Sequence, residues 1–315
     1  MKGKDFLTLA EFTPADLKTV LDLSARLKRG RSAQLGKRLL DGKSVAMIFE
    51  KPSTRTRVSF QVAISELGAR PVNLSSAELQ LGRGETIGDT GRVLSRYVHC
   101  MMARVNRHSD LVALAESSTV PVINGLSDLH HPVQILADLL TLREHKGKLA
   151  GLKVAWVGDG DNVCNSWMIG AGLAGIDFIA ATPAGYEPSP DVRRIARSIA
   201  ESDISTVADP LEAVRGADCV ITDTFVSMGV EAEKERRLKA FFPGYQVDSA
   251  MMSEAKKDAI FMHCLPAHRG EEVTSEVIDG PQSVVLDEAE NRLHTTKALL
   301  CFLLLSRKAY YQLRP

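Results

Sequence analysis

Five short segments of this chain gather the residue types that hold anions and amines. The first, Ser53-Thr54-Arg55-Thr56-Arg57, puts hydroxyls and guanidinium groups within five residues. It follows Val45-Ala46-Met47-Ile48-Phe49, which reads as a buried strand, and a Pro52 that interrupts regular structure. Val58, Val62, Ile64 and Leu67 then fall at helical spacings, with Gly68 as a stop. The spacing predicts Ser53 as the N-cap of a helix whose first turn holds Thr54, Arg55 and Thr56. Backbone N–H groups at that end have no intrahelical partner, and the helix dipole adds positive charge. With a guanidinium fork beside them they would make a directional phosphate site. A Ser-capped helix with solvated arginines fits the same five residues, and the motif alone leaves both readings open.

The other four segments also sit where strands are predicted to end. In His131-Pro132-Val133-Gln134, Pro132 suits the first helical position, so His131 is a cap and Gln134 lies in the first turn. Both side chains can face the carboxyl edge of a sheet, where open α/β sheets bind ligands, although a plain capping role is equally compatible. Asp159-Gly160-Asp161-Asn162 invites comparison with a dinucleotide fingerprint, but the third glycine is missing and acids occupy the pyrophosphate position. Asparagine amides there, Asn162 among them, suit a zwitterionic amino acid better than a dinucleotide, although a plain polar βα loop fits the same residues. In Asp223-Thr224-Phe225-Val226-Ser227-Met228-Gly229, a strand-end carboxylate can take an ammonium, with Ser227 and the following backbone close by. In His263-Cys264-Leu265-Pro266, Leu265-Pro266 is a candidate cis peptide. A Cys/His nucleophile pair is disfavoured there, because adjacent strand residues point to opposite faces.

The elements that must position these segments alternate in the manner of parallel α/β construction. Strands are predicted at 44–49, 72–75, 100–105 and 121–124, then at 152–157, 177–181, 204–207, 218–223, 259–264 and 283–286. The predicted fold is two α/β lobes, each a mostly parallel sheet flanked by helices, joined near Lys146-Gly147-Lys148. A final helix at about 289–311 is apolar along much of its length and is expected to pack back on the first lobe. The expected domains are therefore 1–146 with about 292–315, and 147–291. A length of 315 residues suits two domains. Lys+Arg and Asp+Glu are both 39, which argues against partners recruited by bulk charge, nucleic acid or a membrane surface. No run approaches about 18 apolar residues, and the N-terminus lacks the apolar stretch of a signal peptide. Five cysteines without C-x-x-C spacing read as reduced thiols, so a cytoplasmic protein is expected.

Taken in order and spacing, the five segments resemble the aspartate/ornithine carbamoyltransferase family, over nearly the whole chain. The segments at 53–57 and 131–134 are similar to carbamoyl-phosphate signatures of the whole family, those at 223–229 and 263–266 to its ornithine branch. The resemblance implies a carbamoyl-phosphate site of Ser53, Thr54, Arg55, Thr56, Arg104, His131 and Gln134. Cys264 and Leu265, with Arg292, are expected to close that site from the second domain. Gln80 matches a position that reaches a neighbouring subunit's site. Asn162, Asp223, Ser227 and Met228 would hold ornithine. Arg55, Arg104, His131 and Cys264 are the residues expected to act on the reacting groups. Phe225 departs from the family, where Trp is common, and the 78–86 loop lacks the lysine of the aspartate branch.

The implied chemistry is attack of ornithine's δ-amine on carbamoyl phosphate, giving citrulline and phosphate for arginine biosynthesis. Arg104, His131 and Thr56 would donate to the developing oxyanion, an effect of about 3 kcal/mol per donor. The resemblance implies no metal, covalent intermediate or organic cofactor. It also implies small-molecule partners and a homotrimer or multiple of trimers. Other acceptors, such as N-acetylornithine, putrescine or aspartate, are the nearest alternatives; a non-catalytic binding protein and a dinucleotide-dependent dehydrogenase are the more distant ones.

Overall fold

Ser44–Phe49 (β1) is apolar from Val45 onward because it lies inside a parallel sheet, where both faces are covered. The computed structural model describes residues 3–33, 37–75, 84–227 and 231–305, so Gln80 and Met228 lie outside the described residues. Two units are formed, Met1–Leu140 with Glu290–Pro315, and Thr141–Ala289.

In the first unit, Pro14–Arg29 (α1) starts at a Thr13 capping box. After β1 come Thr54–Glu66 (α2), Arg70–Ser75 (β2), Ile87–Leu94 (α3), Cys100–Arg104 (β3), His108–Ser117 (α4), Val122–Leu126 (β4) and Pro132–Lys146 (α5). The sheet order is β2-β1-β3-β4, with all pairings parallel. The chain leaves β1 toward β2 and returns to β3 on the other side, so α2 and α4 begin beyond neighbouring strands whose connections diverge. That divergence opens a crevice at the carboxyl ends of β1 and β3.

The second unit follows with Lys153–Val157 (β5), Asn162–Ala174 (α6), Asp177–Ala181 (β6), Pro190–Ile199 (α7), Ile204–Val207 (β7), Pro210–Val214 (α8) and Cys219–Thr222 (β8). It continues with Lys234–Phe241 (α9), Ser249–Glu254 (α10), Ile260–His263 (β9) and Ser275–Ile278 (α11). Its parallel sheet runs β7-β6-β5-β8-β9, and the connections diverge between β5 and β8. Trp167 stacks on Phe178 with ring centroids 5.8 Å apart, filling the core beneath α6. Trp156 on β5 donates through Nε1 to the Asp159 carbonyl at 2.9 Å, which fixes the loop leaving that strand. Gly160 is required in that loop, since a Cβ would meet the Pro188 nitrogen at 2.2 Å.

The strand expected at 283–286 is corrected. Val285–Leu304 (α12) is already helical there, and only an isolated bridge from Ser283 to Phe261 precedes it. The Glu290–Leu304 part of α12 packs on the first unit, as the apolar pattern predicts. Lys297 Nζ reaches Glu66 Oε2 at 2.8 Å, Lys28 Nζ reaches Asn291 Oδ1 at 2.9 Å, and Phe302 meets Phe12 at 5.2 Å. Among the described residues, no helix is long and apolar enough to cross a membrane.

Candidate active site

In the first unit the predicted N-cap is present. Ser53 is extended and its Oγ accepts from the Thr56 amide at 3.3 Å, leaving Thr54 and Arg55 in the first turn of α2. Arg57 lies over the Phe49 ring at 4.1 Å, a cation–π contact that turns the second arginine to a structural task. Arg104 ends β3, paired with Phe49 of β1 and only 6% exposed. The buried His131 and Gln134 follow β4. The turn that carries them is held by Asn124, whose Nδ2 donates to Leu7 O at 2.9 Å and His130 O at 3.3 Å. Ser53–Thr56, Arg104 and His131 thus rise from the carboxyl ends of three adjacent strands.

Arg292 corrects one expectation. It belongs with the first unit rather than closing the site from the second domain. One guanidinium nitrogen donates to Thr56 Oγ1 at 3.1 Å and another to Gln134 Oε1, while Gln134 Nε2 donates to Asp138 Oδ1 at 2.8 Å. Burial pushes the His131 pKa well below its ordinary value, and the positive charges of Arg292, Arg104 and Arg55 push it further. Three guanidinium groups therefore surround one neutral imidazole. That concentration of positive charge is a place for a multiply charged anion.

In the second unit, Asn162 opens α6 beyond β5, Asp223 follows β8, and Cys264 follows β9. Ser227 is half-buried on the segment leaving β8. Asp223 Oδ1 accepts from the Thr224 amide at 2.7 Å and from the Cys264 thiol at 3.2 Å. The Cys264 partner is thus a carboxylate on the neighbouring strand, and burial together with Asp223 pushes the thiol pKa well up. A thiol kept protonated is a poor nucleophile, so Cys264 acts here as a hydrogen-bond donor.

Asp159 and Asp161 were read from sequence only as an obstacle to pyrophosphate. The fold makes them part of an acidic pocket with Asp223. Asp161 caps α6 through Oδ1, and burial, then Asp223 and Asp159, push its pKa well up. Burial raises Asp159 to about 6, against the lowering effect of its ion pair with Arg237. Arg237 is itself fixed by Phe225 O at 2.5 Å and by the Tyr186 ring. Arg237 balances Asp159, and the carboxyl groups of Asp161 and Asp223 beside it are left to receive a cationic ligand. The strand-end acids were visible in the sequence, whereas the arginine 78 residues away that balances Asp159 carried no local signal.

His130, beside the catalytic candidate His131, offers a pH test of this packing. Burial, with His108 adding to it, lowers its pKa to about 3. A histidine whose folded pKa is depressed is neutral when folded and charged when unfolded, so its contribution falls as pH drops below about 6.5. At pH 5 the loss is about 2 kcal/mol. Urea unfolding of the parent and His130→Asn at pH 7.5 and pH 5.0 should show the stability gap between them narrow by about that amount. An unchanged gap would mean that His130 is solvated.

Comparison with known proteins places these features in context. The carbamoyl-P binding domain of aspartate/ornithine carbamoyltransferase matches residues 4–144, and the Asp/Orn binding domain of the same family matches 150–303. The chain is 54% identical over 306 residues to the ornithine carbamoyltransferase of Carboxydothermus hydrogenoformans, covering 96% of this chain and 98% of that protein. It is 52% identical over 307 residues to an anabolic ornithine carbamoyltransferase of Pyrococcus furiosus, covering 96% and 97%. The solved structure of ornithine carbamoyltransferase from Pyrococcus furiosus superposes with a TM-score of 0.93 at 51% identity, over 96% of this chain and 97% of that one. That from Thermus thermophilus gives 0.87 at 44% identity, over 97% and 100%.

Proposed function

Because the chain belongs to the aspartate/ornithine carbamoyltransferase family, we propose that it transfers the carbamoyl group of carbamoyl phosphate to the δ-amine of L-ornithine. The products are L-citrulline and phosphate, in the direction of arginine biosynthesis, as in the relative named anabolic. The observation that carries this reading is the convergence of Arg55, Arg104 and Arg292 on His131 in one unit. The acidic pocket around Asp223 in the other is its electrostatic complement.

In this reading Met1–Leu140 with the end of α12 is the carbamoyl-phosphate domain, and Thr141–Ala289 is the ornithine domain. Ser53, Thr54 and Arg55 take the phosphate at the start of α2, where unpaired amides and the helix dipole stabilise an anion. Thr56, Arg104 and His131 face the carbonyl oxygen. A neutral imidazole keeps one N–H, so His131 donates without adding a fourth positive charge. Gln134 and Arg292 are coupled by their own hydrogen bond and act together on the carbamoyl group. Gln80 belongs to the same site by resemblance.

Asp223 takes ornithine's α-ammonium, and Asn162, Ser227 and Met228 take the rest of its α-amino acid end. Cys264 donates to Asp223 and keeps it in place, and Leu265 offers its backbone to the carbamoyl group. The δ-amine must lose a proton before it attacks, because an ammonium has no lone pair; removal from water favours that loss. As the C–N bond forms, the carbonyl electrons move to oxygen. They return as the C–O bond to phosphate breaks, and the departing phosphate takes the second proton from the attacking nitrogen as it leaves toward Arg55.

The assembly in this reading is a homotrimer or a multiple of it. Apolar residues exposed on α2, β2 and α3 (Val58, Val72 and Val93), with Tyr97 just beyond α3, suit such an interface. A cytoplasmic location is supported by five cysteines held as thiols. Assay of the purified protein with carbamoyl phosphate should give citrulline from L-ornithine at a rate far above carbamoylation of N-acetylornithine, putrescine or aspartate. A preference for any of those three would replace ornithine as acceptor. No product from any of them with a folded protein would leave a binding role.

A further inference from the structure

The segment that carries Cys264 is held in an uncommon backbone conformation. Leu265 has φ of 58°, in the left-handed region that non-glycine residues seldom occupy without support from their surroundings. That support comes from two buried side chains with no direct role in the chemistry above. The Leu265 amide donates to His263 Nδ1 at 2.9 Å, so that nitrogen carries no proton and the ring holds its hydrogen on Nε2. Nε2 faces Glu272 Oε1 at 3.2 Å, and the same oxygen accepts from the His268 amide at 2.5 Å. His263 and Glu272 are both fully buried.

The clamp is anchored at each end by backbone. The Val247 amide donates to Glu272 O at 2.9 Å, and Glu288 Oε2 accepts from the His263 amide at 2.9 Å. Glu272 thus fixes the imidazole's tautomer and orientation, the imidazole fixes the Leu265 amide, and the turn presents the Cys264 thiol to Asp223.

We propose that Glu272, acting through His263, is a positioning residue for carbamoyl transfer, keeping the Cys264–Leu265 peptide in the orientation that substrate meets. This rests on the reading of Cys264 and Leu265 as part of the site. Each partner has a distinct job: the carboxylate orients the ring, and only the ring's acceptor nitrogen touches the turn. An asparagine at 263 can still accept from the amide two residues on, as Asx turns do, although it cannot reach Glu272. A glutamine at 263 reaches toward Glu272 but cannot close that short ring.

The experiment compares citrulline formation by the parent, Glu272→Ala, Glu272→Gln, His263→Asn and His263→Gln, with the Cys264 alkylation rate by iodoacetamide as a local readout. Glu272→Ala should lower kcat by about 100-fold with the KM for carbamoyl phosphate within about threefold of the parent, and should speed Cys264 alkylation. Glu272→Gln, which keeps an acceptor oxygen, should restore most of kcat. His263→Asn should exceed His263→Gln in kcat by at least about tenfold. That pair carries the test if Glu272→Ala does not fold. Equal kcat for the two His263 variants, or a folded Glu272→Ala with parental kcat and alkylation rate, would overturn the proposal. A parent that makes no citrulline would fail the functional reading instead, so the two failures are distinguishable.

Discussion

Arg55→Ala should cost about three orders of magnitude in kcat/KM for carbamoyl phosphate. A guanidinium at a helix start makes charge-assisted, bidentate contacts with phosphate; Arg55 is half-buried, and truncating one partner of a charge pair that the bound phosphate desolvates costs about 2–5 kcal/mol. At about 1.4 kcal/mol per decade, 4 kcal/mol is about 10³-fold. The loss should divide between KM and kcat, since the phosphate is bound in the ground state and gains charge as it leaves. Ornithine's KM should change far less. The substitution also removes one of three positive charges that hold the His131 pKa down, so that pKa should rise toward its ordinary value. Burial and the other two arginines remain, which keeps the rise small; an NMR titration of the ring reads it directly. Near-parental kinetics in Arg55→Ala would remove the phosphate from the start of α2.

Asp223→Asn is expected to weaken ornithine by about 100-fold or more while carbamoyl-phosphate binding stays close to the parent's. The carboxylate is 8% exposed, and an amide of the same shape can still accept from the Thr224 amide and from Cys264. What it loses is the charge that pairs with an α-ammonium, an interaction of about 2–5 kcal/mol when removed from a buried pair. Two side effects follow from the neighbouring groups. Asp223 is among the causes that raise the Cys264 and Asp161 pKa values, so both should fall in the variant. Cys264 alkylation above pH 8 should therefore accelerate. The pH–rate limb should still report deprotonation of ornithine's δ-amine. A variant that binds ornithine normally and loses that limb would make Asp223 the general base, and its assignment to the α-ammonium would be wrong.

Much of this architecture was legible in the chain itself, wherever the cause is local. The Ser53 cap and the early helix at Thr13-Pro14 follow from side chains bonding amides three residues away, so their signals lie within one turn of sequence. Strands β1, β3, β5 and β8 could be read because a parallel strand covered on both faces must be apolar along its length. Their ends could then be read as ligand-facing because a polar segment follows each one, bearing glycine after β5 and β8.

The run at 283–286 was misread for the same reason in reverse. Three apolar residues suit a strand or the first turn of a buried helix equally, and only the packing of α12 decides between them.

The partnerships that turn motifs into a site were decided by tertiary structure alone. Arg292 joins Thr56 and Gln134 across 236 and 158 residues, and Cys264 turns to Asp223 rather than to its sequence neighbour His263. No spacing rule links such residues, because strand order in the sheet, not order in the chain, determines which loops stand side by side. The pKa of a buried group depends on those neighbours and on lost water, so the neutral His131, the protonated Cys264 and the acidic pocket at Asp161 are properties of the fold. The residue types of the site were written in the sequence, and their charge states were conferred by burial beside partners that only folding brings near.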